Sequence, residues 1–495
     1  MQDYFLGIDI GTGSTKAVAV DVKGNTLDIA QHYYPINSPQ PGYSEQDPEL
    51  ILAAFLNCIT DVVKKAGKPP IAIGLSSAMH SLIPVDSNCK ALMAMMTWAD
   101  ARSEQIAEKL RATEQGKHIY RACGTPIHAM APLCKLMWLR ENEKEIFDKT
   151  HKFISIKEYI WHYLFGEFEI DHAIASATGL FDIVQLKWSG EACELAGINS
   201  EKLSAPVSNS YKRGDLNPTR AASLRLGKNT PFIIGASDGC CANLGSFVIT
   251  PGVASLTIGT SGAVRITSPV PVIDTDAMIF NYLLNDNTFV CGGAINNGGN
   301  VLDWLLKTIM DKKRPDDSDY DELFARIAEI PAGSDGLIFL PYLYGERAPL
   351  WDTNTCGTFF NIKPQHTQSH FLRAGLEGIC LALKDVLQTV ERASAPIERI
   401  HISGGFITSP VWTQVLADIT GKELVIVQQE DASAIGAVFL SMQALGYERP
   451  KQPAVDQSLI IRPDLQHSVI YADSYLLFKR LYGDLKETMH WLHGR

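Results

Sequence analysis

The chain has 495 residues, 46% of them hydrophobic and 20% charged, which is ordinary for a soluble globular protein and long enough for two or three domains. Its formal charge of -11 argues against a general affinity for nucleic acid or anionic membrane. Ten cysteines form neither a C-x-x-C pair nor a metal-ligand spacing, so reduced, packed thiols of a cytoplasmic protein are expected.

The N-terminal residues lack the basic start and apolar core of a secretory leader. Residues 4–21 read as two apolar strands around the polar turn Gly11 to Ser14. Asp9 interrupts the first run, and a buried carboxylate needs a cationic partner. Asp9 is therefore a candidate Mg²⁺ partner. Thr12, Gly13, Ser14 and Lys16 form a candidate phosphate cradle of backbone N–H groups, hydroxyls and one cation. A plain hairpin turn is the competing reading. A third strand is expected over 26–35. The Pro- and Gly-rich loop 39–48 follows, and Pro48 opens a helix over 49–65.

Residues 71–75 read as a strand running into Ser76-Ser77-Ala78-Met79-His80-Ser81, and open α/β sheets place ligands at such strand ends. Asp100 and Arg102 flank the helix expected from Ser103, where a cap and a surface salt bridge are one reading. Past Pro132 comes an amphipathic helix with Trp138 as a core residue. Residues 153–160 lead into a helix ending at Gly166. The stretch 171–179 reads as a polar loop, and 189–226 as turns with little periodicity. The strand from 231 ends in Ala236-Ser237-Asp238-Gly239, where Asp238 is an Asx turn, a helix cap or a base. The uncharged run 239–264 is broken by Pro251 and reads as paired buried strands, not a membrane span. Cys240-Cys241 is read as packing.

Residues 252–266 repeat the plan of the first hairpin. Ile258-Gly259-Thr260 aligns with Ile10-Gly11-Thr12, and Thr257 falls opposite Asp9. Residues 289–305 read as a strand, the turn Asn296-Asn297-Gly298-Gly299-Asn300 and a helix from Val301, a helix start open to phosphate or ribose. A turn and strand follow over 332–341. In 344–352, Arg347 is an anchor for an anion or a partner of Glu346 or Asp352. A strand over 397–402 runs into Ser403-Gly404-Gly405, where glycine lets a flat ring approach or only makes the turn. Ser409 caps and Pro410 starts a helix that stops at Gly421. A strand over 423–427, a helix over 431–445 ended by Gly446, and a surface helix over 478–495 complete the chain.

The segments DIGTGSTK, TIGTSG and ISGGFITSPVWTQVLADITG resemble, in order and spacing, the three nucleotide-contacting elements of the actin-like sugar kinases, the FGGY carbohydrate kinases. The likeness covers nearly the whole chain. SSAMHSLIPVD, TWADARS and residues 123–141 look most like the gluconokinases of this family.

The resemblance implies an α/β fold of two actin-like (ribonuclease H-like) lobes, residues 1–247 and 248–495. Each would be a mixed β-sheet flanked by helices, with the active site in the cleft between them. It implies ATP-dependent phosphorylation of a sugar or aldonate, D-gluconate first, with Asp238 as general base and Mg²⁺ at Asp9. Thr12, Gly13, Ser14, Lys16, Thr260, Gly299, Asp303, Gly404, Gly405 and Ser409 would hold ATP. Met79, His80, Asp100, Arg102, Asp238 and Gly239 would face the sugar, although Ser81 stands where xylulokinases have glycine. For the gluconate carboxylate, Arg102, Lys135, Lys157, His80 and Arg347 are unranked candidates. Neither nucleic acid nor membrane is implied as a partner, and dimerisation is the family's habit. The alternatives are a kinase for xylulose or ribulose and, more distantly, a non-catalytic actin-like ATPase. A dehydrogenase lacks its G-x-G-x-x-G here.

Overall fold

The first hairpin forms where its apolar runs place it. Tyr4–Ile10 and Ser14–Asp21 pair antiparallel with Asp9 opposite Lys16, and Thr26–Tyr33 adds the third strand. The structure is a computed structural model, and it describes residues 2–427, 431–451 and 456–493. The chain divides into two compact units. One comprises Met1–Phe247, Ser268–Cys291 and Gln429–Gln452, and the other Val248–Thr267, Gly292–Gln428 and Pro453–Arg495.

The first unit carries a mixed six-stranded sheet. Its strand order is Lys212–Arg213, Phe232–Ser237, Ile73–Ser77, Tyr4–Ile10, Ser14–Asp21, Thr26–Tyr33. Three neighbours, Phe232–Ser237, Ile73–Ser77 and Tyr4–Ile10, run parallel, so their C-terminal ends lie side by side. The helix Pro48–Ala66 covers the sheet with Ile51, Phe55, Ile59 and Val62. Asp47 accepts the Glu49 N–H at its start, and Gly67 ends it in the left-handed region at φ 73°.

The helix Ala432–Ala444 also packs in this unit, although it lies nearly 200 residues past Phe247 in sequence. It sits on the strands through glycine. A Cβ on Gly7 would lie 2.0 Å from Ala434 O, and one on Gly74 2.3 Å from Ala437 O. The helix Asp238–Gly245 meets it in the same way. A Cβ on Gly245 would lie 2.1 Å from Ala432 O, and one on Gly436 1.9 Å from Cys241 O. Backbone therefore rests on backbone, which no residue with a side chain permits.

The second unit repeats the hairpin plan. Val253–Ile258 pairs antiparallel with Gly262–Ser268 and parallel with Arg399–Ser403, and Glu423–Ile426 and Ile460–Ile461 follow. Its long helix Gln368–Ala393 is buried along most of its length. Arg373 and Glu377 of that helix both bond the Tyr471 hydroxyl, at 2.8 and 2.7 Å.

Several expectations are corrected. The loop expected over 171–179 holds the helix His172–Ser176, because Asp171 accepts the Ile174 N–H as a cap. The expected turns of 189–226 include the helices Gly190–Ala196 and Pro218–Ser223, too short to show a period. The uncharged run 239–264 starts as the helix Asp238–Gly245 before the paired strands begin. Trp138 is half-buried beneath Arg102, not in the core. The last helix starts earlier, at Leu465, and buries Tyr471, Tyr475, Phe478, Leu481 and Met489 along one side. Residues 494 and 495 of that expectation lie outside the described residues.

All ten cysteines are free, and all but Cys356 are buried. Among the described residues no helix is long and apolar enough to cross a membrane. Because Gly436 touches backbone and not a movable side chain, Gly436→Ala is expected to cost about 2 kcal/mol or more of stability. Urea unfolding of the two proteins measures this directly.

Candidate active site

The first set of polar groups gathers at the C-terminal ends of the three parallel strands. The registers set Asp9 beside Ser76 and Ser237 beside Ser77. Ser76 Oγ donates to Asp9 Oδ1 at 2.7 Å. A bulge between Ile233 and Ala236 turns the end of the third strand. Gly235 sits in it at φ 68°, with no room for a Cβ, which would lie 1.8 Å from Leu75 O. After the bulge Ser237 caps the helix Asp238–Gly245 and Asp238 occupies its first turn. Asp238 Oδ1 accepts the Gly239 N–H at 2.7 Å.

Burial, and secondarily the Asp238 charge, push Asp9 up to about 6, against the Ser76 bond and the Lys16 charge. The two carboxylates thus feel each other. Lys16, opposite Asp9 across the hairpin, is ion-paired with Asp431. Asp238 and Asp431 both act on Asp9, and the Lys16 charge partly offsets them. Among the described residues no three His, Cys, Asp or Glu side chains converge as a ready metal-ligand set.

The hairpin tip is braced from several sides. Trp98 Nε1 donates to Thr12 Oγ1 at 3.0 Å, and Gln46 Nε2 to Thr12 O at 2.7 Å. Tyr34 donates its hydroxyl to Gly11 O at 2.6 Å, and Gln31 Nε2 bonds Ser14 Oγ at 2.8 Å. Gly13 is exposed, and a Cβ there would meet nothing within 4 Å.

The residues expected to face the sugar are held more tightly than their sequence suggests. Asp100 and Arg102 form a buried clasp. Arg102 Nε lies 3.0 Å from both Asp100 oxygens, and Nη2 reaches Glu45 at 2.8 Å. The Arg102 guanidinium lies 4.0 Å over the Tyr43 ring and 5.1 Å from that of Trp138. Asp100 Oδ2 also accepts the Ser44 N–H at 2.9 Å. His80 is buried at φ 66°, with Nδ1 2.7 Å from Ala177 O and Nε2 3.2 Å from the Tyr282 hydroxyl. Met79 beside it is half-buried, and Gly239 is buried.

Two candidate cations are committed elsewhere. Lys135 donates to His80 O and Thr97 O, both at 2.6 Å, and burial pushes it down to about 7. Lys157 bonds Asp171 at 2.7 Å and Ala236 O at 2.8 Å.

The second set lies in the second unit, in a cavity of about 690 Å³. Thr260, Gly299, Asp303, Gly405 and Ser409 line it. Gly404 lies behind, at φ 111°, where a Cβ would sit 2.2 Å from Ile258 O. Gly405 has open space before it. Gly299 N donates to Gly259 O at 2.8 Å, which ties the Gly299–Thr308 helix start to the second hairpin. Asp303 is paired with Lys307 at 2.5 Å, and Ser409 caps the helix Pro410–Thr420. Thr257, the counterpart of Asp9, bonds Ser403 Oγ at 3.1 Å, so the second hairpin keeps the geometry without the charge.

Some lining residues carry no motif in the sequence. Tyr320 and Phe324, on the helix Asp317–Ala328, form an apolar wall with Phe406 and Trp412. The capping box at Asp316 and Asp319 was the signal that would have located this helix. Asp431 shows in sequence only as the start of a helix, because its ion pair with Lys16 spans 415 positions.

Residues 4–245 match the model of the N-terminal domain of the FGGY family of carbohydrate kinases, and 254–445 that of its C-terminal domain. The chain is 41% identical over 453 residues to a gluconokinase of Bacillus subtilis (strain 168), covering 90% of this chain and 88% of that one. It is 27% identical over 494 residues to a xylulose kinase of the same organism, covering 98% and 97%. Among solved structures, the gluconate kinase from Lactobacillus acidophilus superposes with a TM-score of 0.92 at 32% identity, over 98% of each chain. The ligand-bound xylulose kinase from Lactobacillus acidophilus gives 0.93 at 32% identity, over 98% of this chain and 99% of that one.

Glu346, in the segment expected to anchor an anion, accepts the Asn296 N–H at 2.5 Å and Asn297 Nδ2 at 3.0 Å, beside the glycines of the cavity. Burial pushes its carboxyl up to about 7 against these bonds. Folded protein then keeps a proton that the unfolded chain, with a carboxyl near its ordinary value, has released. Stability from this group is complete at low pH and falls as pH rises through about 7. Glu346→Gln should flatten that decline, read as urea midpoints between about pH 5 and pH 8.

Proposed function

The chain belongs to the FGGY family of carbohydrate kinases and is an ATP-dependent sugar kinase, and we propose that its acceptor is D-gluconate, converted to 6-phosphogluconate in the cytoplasm. The observation that carries this reading is the 41% identity to a gluconokinase over 90% of the chain, against 27% to a xylulose kinase of the same organism.

The proposed transfer uses few groups. Asp238 orients the acceptor hydroxyl and takes its proton as the oxygen attacks the γ-phosphorus. The bond from that phosphorus to the bridging oxygen breaks, and ADP leaves. Asp238 stands in the first turn of a helix, and its Oδ1 accepts the Gly239 N–H, which fixes where the carboxylate meets the acceptor. Thr12, Gly13, Ser14 and Lys16 present the braced hairpin tip to phosphate oxygens. In the second unit, Gly405 leaves room for the adenine face, the aromatic wall flanks it, and Thr260 and Gly299 lie at the glycine-bearing turns.

The Asp9, Asp238 and Asp431 carboxylates would repel a triphosphate, so a divalent cation is needed at the first hairpin. Asp9 is the residue we assign to it. Mg²⁺ commonly takes only one or two protein carboxylates and completes its shell with water and phosphate, so Asp9 alone would suffice as its protein ligand. When bound, it would screen the phosphate charges during transfer.

One observation favours a second reading, a ketose such as xylulose. Arg102, Lys135 and Lys157, three candidate partners for a gluconate carboxylate, are committed to internal partners. A neutral sugar needs no such cation. We assign homodimerisation only as the habit of the family.

Turnover with ATP on D-gluconate, xylulose and ribulose decides between these acceptors. Gluconate should give the highest kcat/KM, and a higher value for xylulose would replace the reading. Asp238→Asn should lower kcat on the order of a thousandfold with the acceptor KM little changed. Wild-type turnover in that variant would remove the base assignment.

A further inference from the structure

We propose that the entry to the helix Ala432–Ala444 is a positioning element for phosphoryl transfer, with Asp431 setting Lys16 and Ser433 setting Asp238. The proposal rests on reading Lys16 as the phosphate-facing cation and Asp238 as the base.

Four observations carry it. Asp431 is ion-paired with Lys16, and its side chain is only 7% exposed. The backbone at Asp431 is left-handed, φ 65° and ψ 30°, immediately before the helix. Asp431 makes no side-chain capping bond to its own helix, so its carboxylate is directed to another element. Ser433, two residues on, donates its hydroxyl to the carbonyl of Asp238 at 3.2 Å. One turn of chain thus touches both residues.

The helix cannot slide to relax these contacts. Gly7 and Gly74 seat it on the strands that carry Asp9 and Ser76, and Gly245 and Gly436 seat it on the helix that begins with Asp238. Lysine is a flexible point charge, and a fixed carboxylate removes much of its freedom before a ligand arrives.

The test uses the full chain, with ATP and the acceptor titrated separately. Asp431→Asn should raise the KM for ATP about tenfold while the acceptor KM stays within about twofold. Asp431→Glu, which keeps the charge, should recover most of that loss. In a Lys16→Ala background, Asp431→Asn should add less than about twofold, since the partner is already gone. Ser433→Ala should lower kcat several-fold with both KM values near wild type, and it provides a reading even if Asp431→Asn folds poorly.

Independent, multiplying effects of Lys16→Ala and Asp431→Asn would overturn the proposal. So would an Asp431→Glu variant no better than Asp431→Asn, or a Ser433→Ala variant with wild-type kcat. If Lys16→Ala itself leaves the KM for ATP unchanged, the reading of Lys16 fails and the proposal fails with it. If Lys16→Ala is impaired and Asp431→Asn is not, only the proposal fails.

Discussion

The close approach of backbone to backbone at Gly7, Gly74, Gly245 and Gly436 is the constraint on which the rest of the first unit depends. A helix resting on ordinary side chains stands about 10 Å from a sheet, in line with face-to-face packing distances. Here the contact is carbonyl oxygen against Cα, and the helix Ala432–Ala444 comes in far closer. That closeness brings Asp431 to Lys16 and Ser433 to the Asp238 carbonyl. It also explains why a segment so late in sequence belongs to the first unit. Interiors are close-packed and do not deform smoothly, so a glycine-seated helix has one position.

The two hairpins show how one plan serves two electrostatic roles. Each pairs antiparallel with its own second strand and parallel with a later one. In the first, the residue before the turn is Asp9, bonded to Ser76. In the second it is Thr257, bonded to Ser403. The geometry is conserved between the copies, and the charge is present in one only. A carboxylate in the second hairpin would have placed a further negative charge beside a cavity proposed for a nucleotide, which itself carries phosphate charge. The aromatic wall of Tyr320, Phe324, Phe406 and Trp412 suits a flat, weakly polar ring instead.

Much of this was legible in the sequence where the signal is local. Both hairpins, the helix from Pro48, the strand ending at Asp238 and the Ser409 cap follow from apolar periodicity, proline and glycine placement and capping chemistry. Long-range partnerships were not legible. Nothing around Asp100 and Arg102 announces that Glu45, Tyr43 and Trp138 close over them, so a surface ion pair and a buried clasp look alike in sequence. His80 reads as an available imidazole until Ala177 O and the Tyr282 hydroxyl are placed at its two nitrogens. Gly7 and Gly74 sit in buried strands with nothing local to name the helix that rests on them, because that helix begins at Ala432. The short helix His172–Ser176 escaped because five residues are too few to show a 3.6-residue period.

The central claim is that glycine seating of the Ala432–Ala444 helix assembles the reacting groups of the first unit. It is tested most directly by the kcat of Gly7→Ala beside that of Gly190→Ala, whose added methyl would meet nothing within 4 Å. The account predicts that Gly7→Ala stays folded at 25 °C but loses at least about tenfold in kcat, while Gly190→Ala keeps wild-type turnover. A Gly7→Ala protein with unchanged kcat would contradict it.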